Sequence, residues 1–149
     1  MLKLSEIMKT GAVAGVRGGS TYEQVVAALG EGSQLCGEPY PGHSYGDLEI
    51  HYEKRDGLLI AVLVYLNSNR SRIRVKSAIP FDNEGLSWGV TAKTLCGWLI
   101  SRDVPFSFAP PSISPDDHID ILLTGSRPCV VGIEYGLSEI YISLAPSAP

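Results

Sequence analysis

The densest group of titratable residues is one short run, residues 116–120 with the sequence DDHID. On a β-strand, His118 and Asp120 would lie on the same face, and such a pair suits general acid–base catalysis or part of a metal site. A metal site needs three or four ligands, however, and nothing in the sequence places His43 or His51 near this pair. The two leading aspartates also suit a turn that opens a strand. We therefore predict no catalytic residue and no metal site here.

A glycine-rich stretch, residues 11–21, precedes a predicted helix and could hold a phosphate group through its backbone N–H groups. It lacks the lysine before serine or threonine that a phosphate-binding loop carries, and no predicted strand precedes it. We therefore interpret the stretch as a turn between two helices. The chain also contains no Gly-x-Ser-x-Gly motif, so the sequence predicts neither an enzyme nor a cofactor.

The three cysteines, Cys36, Cys96 and Cys129, are odd in number and far apart in the chain. A disulfide framework or a zinc site would need closer pairs. We expect buried, unreactive thiols, with one disulfide as the alternative for a secreted protein.

Two predicted loops carry aromatic side chains between prolines and glycines, residues 37–45 and 104–111. Loops of this length in a compact domain are often functional, and proline reduces the entropy that a loop loses on binding a partner. The alternative for the two phenylalanines is that they fold back over the sheet edge as a lid on the core. The candidate partner-binding residues of these loops are Tyr40, His43, Tyr45, Phe106 and Phe108.

The composition is that of an ordinary globular protein, with 44 % hydrophobic and 19 % charged residues in a chain of 149. The net charge of −4 argues against nucleic acid as the main partner, because duplex binding requires clustered cations. The longest apolar run, residues 58–66, is about half as long as a membrane-spanning helix. No secretory signal or lipidation motif is recognisable. These features predict a soluble, cytoplasmic protein.

Two stretches of the chain resemble one another at an offset of 70 residues, 15–29 and 85–99. Four positions are identical, among them Thr21 and Thr91. Either Ser20 or Thr21 suits the N-cap of the first helix, and Thr91 that of the second. A loop rich in proline or glycine follows each stretch. Three predicted strands follow each loop, at 47–53, 58–66 and 71–76 in the first half and at 118–123, 129–135 and 138–142 in the second. The pattern indicates an internal duplication. The alternative is two segments that merely look alike, since short strands resemble one another.

The predicted fold class is α+β, with two tandem units at residues 1–80 and 81–149. Each unit would consist of a helix, a long loop and a three-stranded antiparallel meander. Neither unit would bury enough apolar surface alone. Joined edge to edge, the two units would form one compact domain, with a sheet of about six strands and the helices on one face.

Alternation along the predicted strands assigns residues to the two faces of the sheet. The apolar set should meet the helices: Leu48, Ile50, Tyr52, Ile73, Val75, Ile119, Ile121, Leu123, Ile140 and Ile142. The opposite face should carry Glu49, His51, Glu53, Arg72, Arg74, Lys76, Asp120 and Tyr141. We take this second set, apart from Lys76, as candidate partner-binding residues, with tyrosine and arginine as anchors. The alternative is a solvated face with charges paired across strands.

The first repeat has a family resemblance, carried by residues 19–30 (GSTYEQVVAALG) and 45–52 (YGDLEIHY). It resembles one unit of the beta-lactamase inhibitory proteins, and of the small outer-membrane assembly lipoproteins that share the unit. The resemblance covers residues 16–76 clearly and 85–144 more faintly. The inhibitory proteins keep a disulfide in each unit, whereas the cysteines here do not pair within units, and the lipidated cysteine of the lipoproteins is absent.

The resemblance implies a bacterial protein with two units in tandem, whose joined sheet grips a partner protein. We therefore predict a non-enzymatic protein-binding module, either an inhibitor or an immunity protein that neutralises a toxin or an enzyme. It would act as a monomer or a weak homodimer, with no nucleic acid or membrane as partner. Two alternatives stay open: a small-molecule-binding or enzymatic domain, and a structural subunit that self-associates through its edge strands.

Overall fold

The computed structural model describes residues 1–35, 41–66, 78–86, 91–108, 118–123, 129–134 and 139–144. At 92, 118–122, 129–134 and 139 the description covers the backbone alone. Within these ranges the chain forms three helices, α1 (Leu4–Thr10), α2 (Tyr22–Leu29) and α3 (Ala92–Ser101).

Twelve strands accompany the helices in the described ranges, so the chain is an α+β protein, as the sequence predicts. In the first half they are β1 (Leu2–Lys3), β2 (Ala12–Val13), β3 (Val16–Arg17), β4 (Ser33–Gln34), β5 (Gly42–Ser44), β6 (Leu48–Tyr52) and β7 (Leu59–Tyr65). In the second half they are β8 (Phe81–Asp82), β9 (Phe106–Phe108), β10 (His118–Leu123), β11 (Cys129–Glu134) and β12 (Glu139–Ser143).

Eight of these strands form one antiparallel sheet in the order β4-β5-β6-β7-β12-β11-β10-β9. The prediction of about six strands is therefore wrong, because β4, β5 and β9 lie in segments predicted as loops. These strands are two or three residues long and have little strand propensity of their own. They form because β6 and β10 offer unpaired backbone groups to β5 and β9, and β5 in turn offers its own to β4. Outside this sheet, β1 pairs with β8 in parallel and β2 with β3 in antiparallel fashion.

The sheet has the same plan on both sides of its centre. Helix α2 is followed by four strands, β4 to β7, and helix α3 by four strands, β9 to β12. The last strands of the two runs, β7 and β12, pair at the centre with Leu63 opposite Tyr141. In this order β7 and β12 hold the two central positions, and β11 (Cys129–Glu134) lies one strand further out.

The predicted third strand of the first meander, residues 71–76, lies outside the described residues. The place beside β7 that such a strand would occupy is taken by β12, while β6 lies on the other side. The first unit therefore does not form the predicted meander around β7.

The connection between β6 and β7 is tight. Gly57 has a φ of +71°, a conformation that favours glycine, and its N–H donates to the carbonyl of Glu53 over 2.8 Å. The Asp56 carboxylate accepts a hydrogen bond from the N–H of Leu58 at 2.9 Å. Beyond the turn the register shifts between His51 and Tyr52, after which Glu49 lies opposite Leu63.

The core lies on one side of the sheet, where the three helices pack. Alternate residues of the central strands are fully buried there. The alternation predicted this for Leu48, Ile50, Ile140 and Ile142, and Val62 and Val64 of β7 are buried beside them. The helices contribute buried residues to the same cluster, among them Leu4, Ile7, Met8, Val25, Leu95 and Leu99. The side of the sheet opposite the helices, called the open face below, carries the residues between these positions.

The predicted caps of α2 and α3 are present. Thr21 accepts a hydrogen bond from the N–H of Gln24 at 3.3 Å, and the Gln24 side chain accepts one from the N–H of Thr21 at 2.9 Å, which completes a capping box. Thr91 accepts a hydrogen bond from the N–H of Thr94 at 3.2 Å. Gly30 ends α2 with a φ of +79°.

The stretch from 11 to 21 was predicted to be a simple turn between two helices, and this is wrong. Strands β2 and β3 form a hairpin there, joined by Ala14 and Gly15 with φ values of +49° and +81°. Two consecutive positive φ values match the twist of a two-residue hairpin. The Ala14 side chain is exposed, so nothing in the core compensates for its backbone conformation.

Glu84 ties the start of the chain to the second half. Its carboxylate accepts a hydrogen bond from the N–H of Ser5, in the first turn of α1, at 2.7 Å and lies 3.4 Å from the guanidinium of Arg102. Its carbonyl accepts hydrogen bonds from the Trp98 indole, at 3.1 Å, and from Arg102. Arg102 in turn lies over the Trp98 ring, 5.0 Å from its centroid.

The turn of the β2–β3 hairpin can be tested with two variants that should change stability in opposite directions. We expect Ala14→Gly to raise the free energy of unfolding by about 0.5–1 kcal/mol, because glycine adopts the left-handed conformation without a steric penalty. A Cβ on Gly15 would meet nothing within 4 Å, so Gly15→Ala should lower stability by about 1 kcal/mol through the backbone alone. Urea denaturation with an unchanged m-value measures both effects. Destabilisation by Ala14→Gly would contradict this turn geometry.

Candidate protein-binding face

The open face carries a row of directly opposed residues that crosses six strands. From β5 to β10 the row runs Ser44, Glu49, Leu63, Tyr141, Gly132 and Asp120. Three of the predicted partner-binding residues, Glu49, Tyr141 and Asp120, therefore occupy one row of the sheet. For Asp120 this placement is that of its backbone.

A polar trio occupies the first half of the open face. The Tyr65 hydroxyl donates to Glu49 Oε2 at 3.1 Å, and His51 Nε2 lies 3.2 Å from the same oxygen. Glu49 is 4 % exposed and Tyr65 9 %, whereas the side chain of His51 is 19 % exposed. Glu49 is therefore a buried, hydrogen-bonded carboxylate that orients its neighbours, not a solvated surface charge.

Tyr141 and Leu63 occupy the centre of the open face. Tyr141 is 40 % exposed, and Leu63, directly opposite on β7, is half-buried. Both come from the two strands at the middle of the sheet, so their backbone is fixed by hydrogen bonds on both sides. An amphipathic tyrosine on a rigid support is the kind of side chain that anchors protein interfaces.

The remaining residues predicted for this face do not join the polar trio or the pair at its centre. Glu53 follows β6 and is half-buried, and its N–H donates to the carbonyl of Leu58 at 2.7 Å. Arg72 and Arg74, like Tyr40 in the first predicted loop, lie outside the described residues. The structure therefore does not place the two predicted arginine anchors.

Tyr45 was predicted to lie in a partner-binding loop, and this is wrong. It is 1 % exposed, and its hydroxyl donates to the carbonyl of Gly30 at 2.8 Å, so it joins the sheet to the end of α2. The packing around it is tight: a Cβ on Gly32 would lie 2.9 Å from Tyr45 Cζ and 3.0 Å from His43 Cβ. Burial of the aromatic ring outweighs the loop-like local sequence.

His43 lies on the helix side of the sheet, in β5 opposite Ile50, and not in an exposed loop. Its ring packs between two tyrosines, with ring centroids 4.9 Å from Tyr22 and 5.6 Å from Tyr52. Tyr22 belongs to the first turn of α2, so these three rings, called the aromatic cluster below, join α2 to the sheet. The sequence reasoning missed Tyr22, whose position at the first residue of a capped helix was the one available signal.

Two polar atoms in the aromatic cluster, His43 Nδ1 and the Tyr52 hydroxyl, are buried without a hydrogen-bond partner in the part of the chain that the structure describes. Burial lowers the pKa of His43, and the negative charge of Glu31 partly opposes this. Burial also raises the pKa of Tyr52, with further contributions from Tyr45, Tyr22 and Glu23. The cluster therefore disfavours charge on both rings.

The two phenylalanines of the second predicted loop belong to the edge strand β9. Phe106 is half-buried and packs against the core, which favours the predicted alternative of a lid over the sheet edge for this residue. Phe108 is 64 % exposed, and its ring contacts Phe106 edge-on with 6.0 Å between centroids. Only Phe108 thus offers most of its ring to a partner.

Within the described ranges, no group of three or more His, Cys, Asp or Glu residues is placed to hold a metal ion. No helix in the described part of the chain is both long and apolar enough to cross a membrane. No family model, curated protein or solved structure matches this chain.

Removing the hydroxyl oxygen should have opposite effects on the free energy of unfolding at the two buried tyrosines, Tyr52 and Tyr45. Tyr52→Phe should raise the free energy of unfolding by about 1 kcal/mol, because it removes a buried hydroxyl that has no partner. Tyr45→Phe should lower it by about 1 kcal/mol, because it removes the hydrogen bond to Gly30. Thermal and urea denaturation of both variants measure the difference. Equal losses of stability would show that the Tyr52 hydroxyl has a partner.

The lowered pKa of His43 predicts a loss of stability in acid. As the pH falls below about 6.5, the unfolded chain takes up a proton on this histidine that the folded chain resists, so the free energy of unfolding decreases. His43→Gln should flatten this dependence. Urea denaturation of the wild type and of this variant between about pH 5 and pH 8 tests the prediction. An unchanged pH dependence in His43→Gln would contradict this assignment.

Proposed function

We propose that the protein is a non-enzymatic protein-binding module that binds its partner through the open face. The observation that carries the proposal is the position of Tyr141. It is a large, 40 % exposed side chain on one of the two central strands of the eight-stranded sheet, on the face opposite the buried Ile140 and Ile142. Interfaces concentrate their binding energy in such central aromatic residues.

The surroundings of Tyr141 support this use. Leu63 adds apolar surface beside it, and His51 adds a half-buried polar group in the next row, held by Glu49. An apolar centre with hydrogen-bonding groups nearby is the usual composition of a protein interface. Because the polar groups are already oriented within the sheet, little side-chain entropy is lost when a partner binds.

The proposed biological role is that of an inhibitor or immunity protein that neutralises a toxin or an enzyme in the bacterial cytoplasm. Its support is the sequence resemblance to one unit of the beta-lactamase inhibitory proteins. The order of elements adds to it, since each half of the chain supplies one capped helix and four consecutive strands. We propose that these halves are tandem copies of one unit, joined through β7 and β12. The step from fold to role is an analogy.

The proposed binding surface is tested by comparing variants of Tyr141 and Tyr22, which are almost equally exposed but lie on opposite sides of the sheet. The partner is first captured from a lysate of the source cells with the tagged protein, and its affinity is then measured by calorimetry. Tyr141→Ala should weaken binding about tenfold or more, because it removes the central anchor. Tyr22→Ala, which alters a 39 % exposed ring on the helix side, should leave the affinity unchanged.

Thermal denaturation of both variants controls for loss of the fold. Loss of binding in Tyr22→Ala with none in Tyr141→Ala would move the interface to the helix side and contradict the proposal. Neutral results for both would show that the partner binds elsewhere.

A further inference from the structure

Strand β9 forms one end of the sheet that the structure describes, and β10 is its neighbour there. Strand β4 forms the other end and consists of Ser33 and Gln34. The two ends differ in chemistry, because β9 has the sequence Phe-Ser-Phe and ends in the 64 % exposed ring of Phe108. A large apolar side chain on an edge strand is a site where another strand can add.

Phe108 is separate from the proposed binding site on the open face. It lies opposite Ile121, in a row that continues through Val131 and Ile142 to Val62. Ile142 and Val62 are buried on the helix side of the sheet, so this row alternates with the row of Tyr141. The exposure of Phe108 is therefore not explained by a partner bound around Tyr141.

We propose that β9 pairs in antiparallel fashion with β9 of a second copy of the chain, about a two-fold axis at Ser107. In this arrangement Ser107 of one chain lies directly opposite Ser107 of the other. Phe106 of one chain lies opposite Phe108 of the other, and the pair occurs twice by symmetry. The two aromatic pairs fall on one side of the extended sheet, because residues two apart in a strand share a face. About two to four backbone hydrogen bonds would join the strands.

The sequence of β9 favours a second copy over an unrelated extended peptide. Phe-Ser-Phe reads the same in both directions, so antiparallel pairing with itself brings a phenylalanine opposite a phenylalanine at both ends. Such aromatic cross-strand pairs stabilise a sheet. The chain already joins its two halves by antiparallel pairing of like strands, β7 with β12.

The expected association is weak and depends on concentration. Prolines at positions 105 and 110 flank β9 in the sequence, and since proline lacks an N–H group, they limit the pairing to a few residues. The exposed part of one Phe108 ring offers on the order of 100 Å² to the interface. This is far less than the roughly 1,200–2,000 Å² of a stable complex.

The test is sedimentation equilibrium of the full chain over a range of concentrations, with a matched pair of variants. The mass of the wild-type protein should rise from one copy towards two as the concentration increases. Phe108→Lys should stay monomeric throughout, because it places a charge on the edge strand. Ile100→Lys removes a comparably exposed apolar residue, 67 % exposed on α3, and should associate like the wild type.

A cross-link locates the contact. Under mild oxidation Ser107→Cys should form a covalent dimer in far higher yield than either the wild type, which controls for the native cysteines, or Ser101→Cys on α3. Three results would overturn the proposal: a wild-type protein that stays monomeric, association that survives in Phe108→Lys, or equal loss in Ile100→Lys. A Ser107→Cys variant that does not cross-link would also do so. None of these measurements involves the partner of the open face.

Discussion

The antiparallel pairing of β7 with β12 is the interaction on which the rest of the structure depends. It joins the two halves of the chain into one sheet, and the register continues beyond the strands, since the N–H of Leu144 donates to the carbonyl of Ile60 at 2.8 Å. On the helix side, the pairing places Val62 opposite Ile142, both fully buried in the core. On the other side it brings Leu63 and Tyr141 together. A shift of one residue would exchange the two faces and expose the core.

In the first half of the chain, the two faces of the sheet bury different kinds of side chain. On the helix side, the aromatic cluster and Tyr45 fasten α2 and its C-terminal end to the sheet, and Gly32 allows the close approach of the rings. On the open face, Glu49 is buried and accepts a hydrogen bond from the Tyr65 hydroxyl. The first side thus relies on aromatic contacts for stability, while the second carries polar groups that hydrogen bonds hold in place.

The parts of the fold set by local chemistry could be predicted from the sequence. The capping box at Thr21, the turn at Gly57 and the alternation that buries Ile50 and exposes Tyr141 all depend on neighbouring residues. The number and order of strands could not be predicted, because the outer strands β4, β5 and β9 are short and rely on their neighbours in the sheet. The burial of Tyr45 could not be predicted either, since it depends on Gly30, fifteen residues away. The pairing of β7 with β12 could not be predicted for the same reason, because it joins segments far apart in the chain.

The most direct test of the central claim, that the open face is the binding surface, is hydroxyl-radical footprinting of the captured complex by mass spectrometry. The free protein should show comparable modification of Tyr141 and Tyr22, because their exposed fractions are 40 % and 39 %. In the complex, Tyr141 and Leu63 should be protected while Tyr22 stays reactive. Protection of Tyr22 with unchanged modification of Tyr141 would contradict the account and place the partner on the helices.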